Sequence, residues 1–217
     1  MKIYVIRHGE TELNYRQVKQ GWLDAPLNQA GRDLAILTGQ ALKGLRFDIC
    51  YTSPLIRARE TVELVLRESG NETVPVLTDD RLKEINFGEE EGASANSCST
   101  LPPEVGRLFL LDALHFPGFP GGESIQALCQ RTGSFLSELV ARNAYENVLI
   151  GTHGCALRAM MNPLYDHPER FWQGHVPPNC SFTILEAEKG QVRILESDKV
   201  FYDPALLVDH YQGTLRN

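Results

Sequence analysis

Arg7-His8-Gly9 stands directly after the apolar run Ile3-Tyr4-Val5-Ile6. A histidine placed where a buried strand ends and a loop begins is a candidate nucleophile. Gly9 would permit a tight turn there and let an anion come close to the main chain. Three other short segments carry residues suited to the same chemistry: Ser53-Pro54 with Arg57 one helical turn on, Leu82 to Gly88 with Glu84, and Thr152-His153-Gly154. Each has an ordinary structural reading when taken alone. His8 would be a loop histidine, Arg57 a helix-surface arginine like Arg59, and His153 a satisfied core histidine. Glu84 has Glu89, Glu90 and Glu91 as rivals, but that acidic run reads as a solvated loop, whereas Leu82 and Ile85 are there to bury Glu84.

Taken together, two histidines, two arginines and a carboxylate do a narrow range of chemistry. The arginines and the second histidine offer charge-assisted donors to a small oxyanion, and phosphate suits guanidinium best. A neutral imidazole can attack phosphorus, and a protonated carboxylic acid can give a proton to the leaving oxygen. Such a reaction needs no metal and no cofactor. The six histidines show no metal-ligand spacing, and the five cysteines include no Cys-x-x-Cys pair.

These residues converge only if the right elements carry them. The run Ile3 to Ile6 reads as a central strand, Phe47 to Thr52 as a second, Val74 to Leu77 as a third and Asn147 to Ile150 as a fourth. Between them, Arg32 to Leu45 has helical apolar spacing with Asn28 as a cap, and Leu55 to Glu68 has a second such face. A long helix runs from Ile125 to Val140, capped by Ser124, and another spans about Cys155 to Leu164. Cys180 to Ala187 and Gln191 to Glu196 alternate as an edge hairpin around Glu188-Lys189-Gly190. The pattern predicts an α/β protein: a three-layer α/β/α arrangement with a mainly parallel central sheet and an antiparallel edge. In such a sheet all four segments share the rim at the carboxyl ends of the strands, where ligands bind.

At 217 residues and 42% hydrophobic content, the chain suits one core, and 1–217 reads as a single domain. No apolar stretch approaches the ~18 residues of a spanning helix, and no basic region with a cleavage site precedes the first strand. With scattered cysteines, this leads to the expectation of a soluble, cytoplasmic protein with reduced thiols. A net charge of −7 offers no broad basic face for nucleic acid or an anionic membrane. The expected partner is a small-molecule phosphomonoester; oligomeric state is not legible.

Six stretches also match a known family. RHGET at 7 to 11 with Asn14, QGWLDAPLNQAG at 20 to 31, TSPLIRARET at 52 to 61, LKEINFGEEEG at 82 to 92, GGES at 121 to 124 and GTHG at 151 to 154 occur in family order. The chain thus resembles the histidine phosphatase superfamily, its phosphoglycerate mutase-like family. The resemblance implies that His8 is the phosphorylated nucleophile, that Arg7, Arg57 and His153 clamp the phosphoryl oxygens, and that Glu84 is the proton donor. It further places Asn14, Gln20, Gly21 and Gly154 against phosphate or substrate. His8 must then be neutral, and Glu84 must have its pKa raised by burial. His115, His167, His175 and His210 are left to surface or lid.

Members of this fold include mutases, which hold a bisphosphorylated intermediate under a longer basic insertion, as well as phosphatases. Between Ala93 and Pro120 this chain departs from the mutase pattern. Arg107 is the only arginine or lysine there, among Phe109, Leu110, Leu111, Leu114, Phe116 and Phe119. That lid-like insertion, with Gly121-Gly122-Glu123-Ser124, points to the phosphatase branch and hydrolysis of a monoester with a less charged leaving group; its apolar residues would equally suit simple packing on the body. A sugar phosphate, a nucleotide-like monoester such as a ribazole phosphate, or a broad set of small phosphates would fit. The alternatives are a cofactor-dependent phosphoglycerate mutase and a non-catalytic binder of phosphorylated ligands.

Overall fold

The structure is a computed structural model that describes residues 1–206; His210 lies outside them. Six strands, β1 (Lys2–Arg7), β2 (Ile49–Thr52), β3 (Val76–Thr78), β4 (Asn147–Thr152), β5 (Phe182–Glu188) and β6 (Gln191–Lys199), form one sheet in the order β3-β2-β4-β1-β5-β6. The first four are mutually parallel, and β5 runs antiparallel to both β1 and β6. The three-layer arrangement expected from the sequence is the one observed.

Side-chain alternation along the strands builds the two faces. Ile3 and Val5 of β1, with Val148 and Ile150 of β4, pack against Phe135, Leu136 and Leu139 of α5 (Ile125–Arg142) and Leu157 and Met160 of α6 (Gly154–Met161). Tyr4, Ile6 and Leu149 point the other way, to Ala35 of α2 (Gln29–Ala41) and Val62 and Val65 of α3 (Ile56–Ser69). Burying both faces is what forces continuous apolar runs on the parallel strands.

Several boundaries differ from the expected ones. Asn28 does cap α2, its Oδ1 accepting from the Gly31 N–H at 2.8 Å, but the helix starts directly after it. The helix stops at Ala41, although Leu42 stays buried and Leu45 half-buried against the same cluster, because the chain turns there through Gly44 at φ +91°. A one-turn helix, α1 (Glu12–Tyr15), follows the first strand. In the insertion, Pro103–Leu111 forms α4, where proline stands in the first turn and is compatible with a helix start.

The insertion does two things. Ala113, Phe116 and Phe119 are buried in a third core with Ile85, Phe87, Ile125 and Leu128, and Phe109 makes edge contacts with Phe87, Phe116 and Trp172. Phe109 and Leu110 also line the cavity described next.

Candidate active site

Strand register assembles the rim. Arg7 pairs with Thr152, and Thr52 with Gly151. The next residues continue the ladder: the His8 N–H donates to the Thr152 carbonyl and the Ser53 N–H to the Gly151 carbonyl, both at 2.9 Å. His8, Ser53 and His153 therefore emerge side by side. The imidazoles of His8 and His153 lie with ring centres 5.1 Å apart.

Nδ1 of His8 is 2.7 Å from the Gly9 carbonyl. A carbonyl only accepts, so Nδ1 carries the proton and Nε2 keeps its lone pair. The backbone is held as well: Gly9 N–H donates to Thr61 Oγ1 at 2.9 Å, which donates to the Arg57 carbonyl at 2.7 Å, and Asn179 Nδ2 donates to the His8 carbonyl at 2.9 Å. Burial, with the charges of Arg57 and Arg7, drives His8 well below the usual histidine range and keeps it neutral.

Gly9 also has a packing role. A Cβ there would sit 2.6 Å from the Gly31 carbonyl, and one on Gly31 would sit 2.1 Å from the Glu10 carbonyl. The bare backbone admits the start of α2.

Glu84 faces the N-terminus of α6. Its Oε1 accepts from the N–H groups of Ile85 (2.9 Å) and Ala156 (3.0 Å), and its Oε2 from Cys155 (3.1 Å). Burial raises its pKa and outweighs these donors and Arg57, which favour the charged form. The main chain at Glu84 is fixed from two sides, with Arg131 Nη2 at 2.8 Å and Trp22 Nε1 at 3.0 Å from its carbonyl. Cys155, beside it, is kept a thiol by burial, so it is no rival nucleophile.

Arg7, His8, Asn14, Gln20, Glu84 and Gly154 line one cavity of about 700 Å³, open solvent at its mouth included. A Cβ built on Gly154 would lie 3.6 Å from Arg7 Nε and 3.8 Å from Glu84 Oε2, so the glycine keeps the space between cation and acid open. Asn14 Oδ1 accepts from the Thr11 N–H at 3.2 Å, which leaves its NH2 as the end available to a ligand.

Arg57, His153 and Gly21 sit behind that wall. The terminal nitrogens of Arg57 donate to the carbonyls of Leu23 (3.1 Å), Gln20 (3.3 Å) and Gly21 (2.7 Å), while its buried Nε has no protein partner. Gly21 N–H is taken by Glu91 Oε2 at 3.0 Å, so it is not offered to a ligand. His153 is held well below the usual histidine range by burial, Arg57 and His8, and is a neutral rather than a charge-assisted group. Its Nε2 lies 2.8 Å from Ser53 Oγ.

What remains is a set of donors without protein partners. Among the described residues, Arg7 Nε, Arg57 Nε, His153 Nδ1 and Gln20 Nε2 are buried and unpaired. Unpaired buried donors are costly. Arg7 and Gln20 line the cavity with Arg57 and His153 behind them, and donors of this kind suit an oxyanion. No cluster of three His, Cys, Asp or Glu side chains among the described residues could hold a metal ion.

Of the acidic run, Glu89 is exposed as expected, but Glu90 and Glu91 are not solvated. Glu90 is fully buried against Lys19, and Glu91 accepts from the N–H groups of Gly21, Trp22, Leu23 and Phe87. Of the other described histidines, His115, His167 and His175 are all exposed, each beside a carboxylate: Asp112 (2.8 Å), Glu169 (3.1 Å) and Asp198 (3.0 Å).

The family model described as histidine phosphatase superfamily (branch 1) matches residues 3–199. A curated 2,3-bisphosphoglycerate-dependent phosphoglycerate mutase of Cytophaga hutchinsonii is 32% identical over 167 residues, covering 73% of this chain and 75% of its own. Bacillus stearothermophilus YhfR has a similar structure, with TM-score 0.83 and 32% identity over 92% of this chain and 97% of its own. The α-ribazole phosphatase of Shigella flexneri superposes with TM-score 0.80 at 26% identity, over 92% and 96% of the two chains.

Proposed function

Because the chain belongs to the histidine phosphatase superfamily, we propose that it hydrolyses small phosphomonoesters through a phosphohistidine on His8, without metal. The observation that carries this reading is the placing, on one cavity wall, of His8 with Nδ1 turned to the Gly9 carbonyl and of the buried carboxyl of Glu84. His8 is neutral with Nε2 bare, and Glu84 has its pKa raised by burial.

In the proposed cycle, Nε2 of His8 attacks phosphorus in line, and the P–O bond to the leaving group breaks as Glu84 gives that oxygen its proton. The phosphoryl oxygens are received by Arg7, Arg57 Nε, His153 Nδ1 and Gln20, donors that the protein leaves unpaired, and by the amide of Asn14. Water then attacks the phosphohistidine, giving its proton to the Glu84 carboxylate. The P–N bond breaks, phosphate leaves, and both side chains return to their starting states.

The leaving group faces Val18, Phe87, Phe109, Leu110, Trp172 and Val176. This wall supports hydrolysis of a monoester with an apolar leaving group over transfer to a second hydroxyl on a bisphosphate. Phosphoglycerate mutase is the second reading, because curated relatives carry that name. The deciding experiment supplies 3-phosphoglycerate, primed with 2,3-bisphosphoglycerate, and a set of aryl and alkyl phosphates to protein treated with chelator. Phosphate release exceeding isomerisation supports the hydrolase, and rapid isomerisation with little hydrolysis contradicts it.

A further inference from the structure

Lys19 lines the same cavity as His8 and, with Arg7, is one of two arginine or lysine side chains on its wall. Its charge is not offered to the cavity. Nζ lies 2.7 Å from Glu90 Oε2 and donates also to the carbonyls of Ser94 (2.9 Å) and Ser97, so all three hydrogens have acceptors. The other oxygen of Glu90 accepts from Ser99 N–H (2.7 Å), Ser99 Oγ (2.9 Å) and Thr100 N–H (2.7 Å). Burial pushes the Glu90 carboxyl up, but Lys19 and these donors outweigh it, and the group lies well below the usual carboxylate range.

A buried ion pair of this kind is weak evidence for stability, since apolar residues of similar volume often serve as well. Here its lysine shares a cavity wall with the apolar Phe87, Phe109, Leu110 and Trp172. Its effect on a ligand is plain. Were Glu90 neutral, Lys19 would be an uncompensated cation in a poorly hydrated wall, where its pull on an anion far exceeds that in water.

We propose that Glu90 determines specificity: by holding Lys19, it withdraws the cation that would otherwise receive an anionic group on the leaving portion, so the cavity favours uncharged leaving groups. This rests on the reading of the cavity as a phosphomonoester site.

The test compares benzylphosphonate with 4-carboxybenzylphosphonate, non-hydrolysable ligands that differ by one carboxylate, by titration calorimetry on the wild type, Glu90→Gln and the double variant Lys19→Met/Glu90→Gln. The ratio of the two affinities shifts toward the carboxylated ligand by about tenfold or more in Glu90→Gln. It returns to the wild-type ratio in the double variant. A folded Glu90→Gln with an unchanged ratio, or a double variant that keeps the shift, overturns the proposal. If Glu90→Gln alone does not fold, the double variant decides. An unchanged ratio supports the proposal, and a loss of about tenfold for the carboxylated ligand shows that Lys19 reaches the anion despite Glu90 and overturns it. Phosphate release from phenyl phosphate by the wild type is measured alongside. No turnover with the affinity shift intact strikes the hydrolase reading alone.

Discussion

Ser53 Oγ lies 2.8 Å from His153 Nε2, and the same oxygen accepts the Leu55 N–H at 3.3 Å. With Nε2 as the acceptor of the Ser53 hydroxyl hydrogen, the proton of the neutral imidazole sits on Nδ1, the unpaired buried atom. Ser53→Ala removes this instruction. One such hydrogen bond is worth about 1 kcal/mol, so vanadate affinity and kcat/KM should each fall by about five- to tenfold. Stability should fall as well, by about 1–3 kcal/mol, because His153 Nε2 and the Leu55 N–H lose a buried partner. Unchanged vanadate affinity would mean that the tautomer of His153 does not matter.

Folding stability should fall as the pH drops below about 6.5, the unfolded histidine value. His8 and His153 are held neutral in the folded protein, so below that pH the unfolded chain binds protons that the folded one does not, and stability rises with pH through the window. Glu84 acts in the opposite sense. Its raised carboxyl keeps a proton that the unfolded chain releases near about 4.3, so its contribution falls as the pH rises above that value. Urea unfolding between pH 5 and 8 checks both. His153→Asn should flatten the acid limb, and an unaltered limb would contradict the assignment.

Gly31→Ala places a Cβ 2.1 Å from the Glu10 carbonyl, where only backbone can yield. Overpacking of this kind costs about 1–3 kcal/mol. The start of α2 must move away from Gly9, whose carbonyl sets the tautomer of His8. A lower Tm and a reduced kcat are expected together. An unaffected kcat would separate α2 from the nucleophile.

Glu91→Gln exchanges a carboxylate serving four N–H groups for an amide with one acceptor oxygen. The loop at Gly21 to Leu23 loosens, and Arg57, which donates to its carbonyls, loses its hold. About 1–3 kcal/mol of stability should be lost, with a rise in KM for phosphomonoesters. Stability and KM equal to the wild type would contradict this.

The sheet and much of the site were legible because they depend on short-range signals. Apolar strands, the Asn28 and Ser124 caps, and histidines after strand ends are all local patterns, and the parallel sheet then brings their ends together. What escaped depends on residues far apart in the chain. Glu90 looks like solvent-exposed charge until the fold sets it against Lys19, and Glu91 until Gly21 arrives. Gly9 packs on Gly31, and the guanidinium ends of Arg57 are taken by carbonyls, and no spacing announces either. α4 was not among the expected helices, although the proline at its start suits a first helical turn.

The most direct test is of the phosphoenzyme. Protein mixed with a 32P-labelled aryl phosphate and quenched in alkali should carry label on His8 that is stable to base and released by acid, and His8→Ala should carry none. In the same assay, Glu84→Gln should slow alkyl phosphates far more than nitrophenyl phosphate, whose leaving group needs little protonation. Phosphate release with no acid-labile label on His8, and undiminished turnover in His8→Ala, would contradict the proposed mechanism.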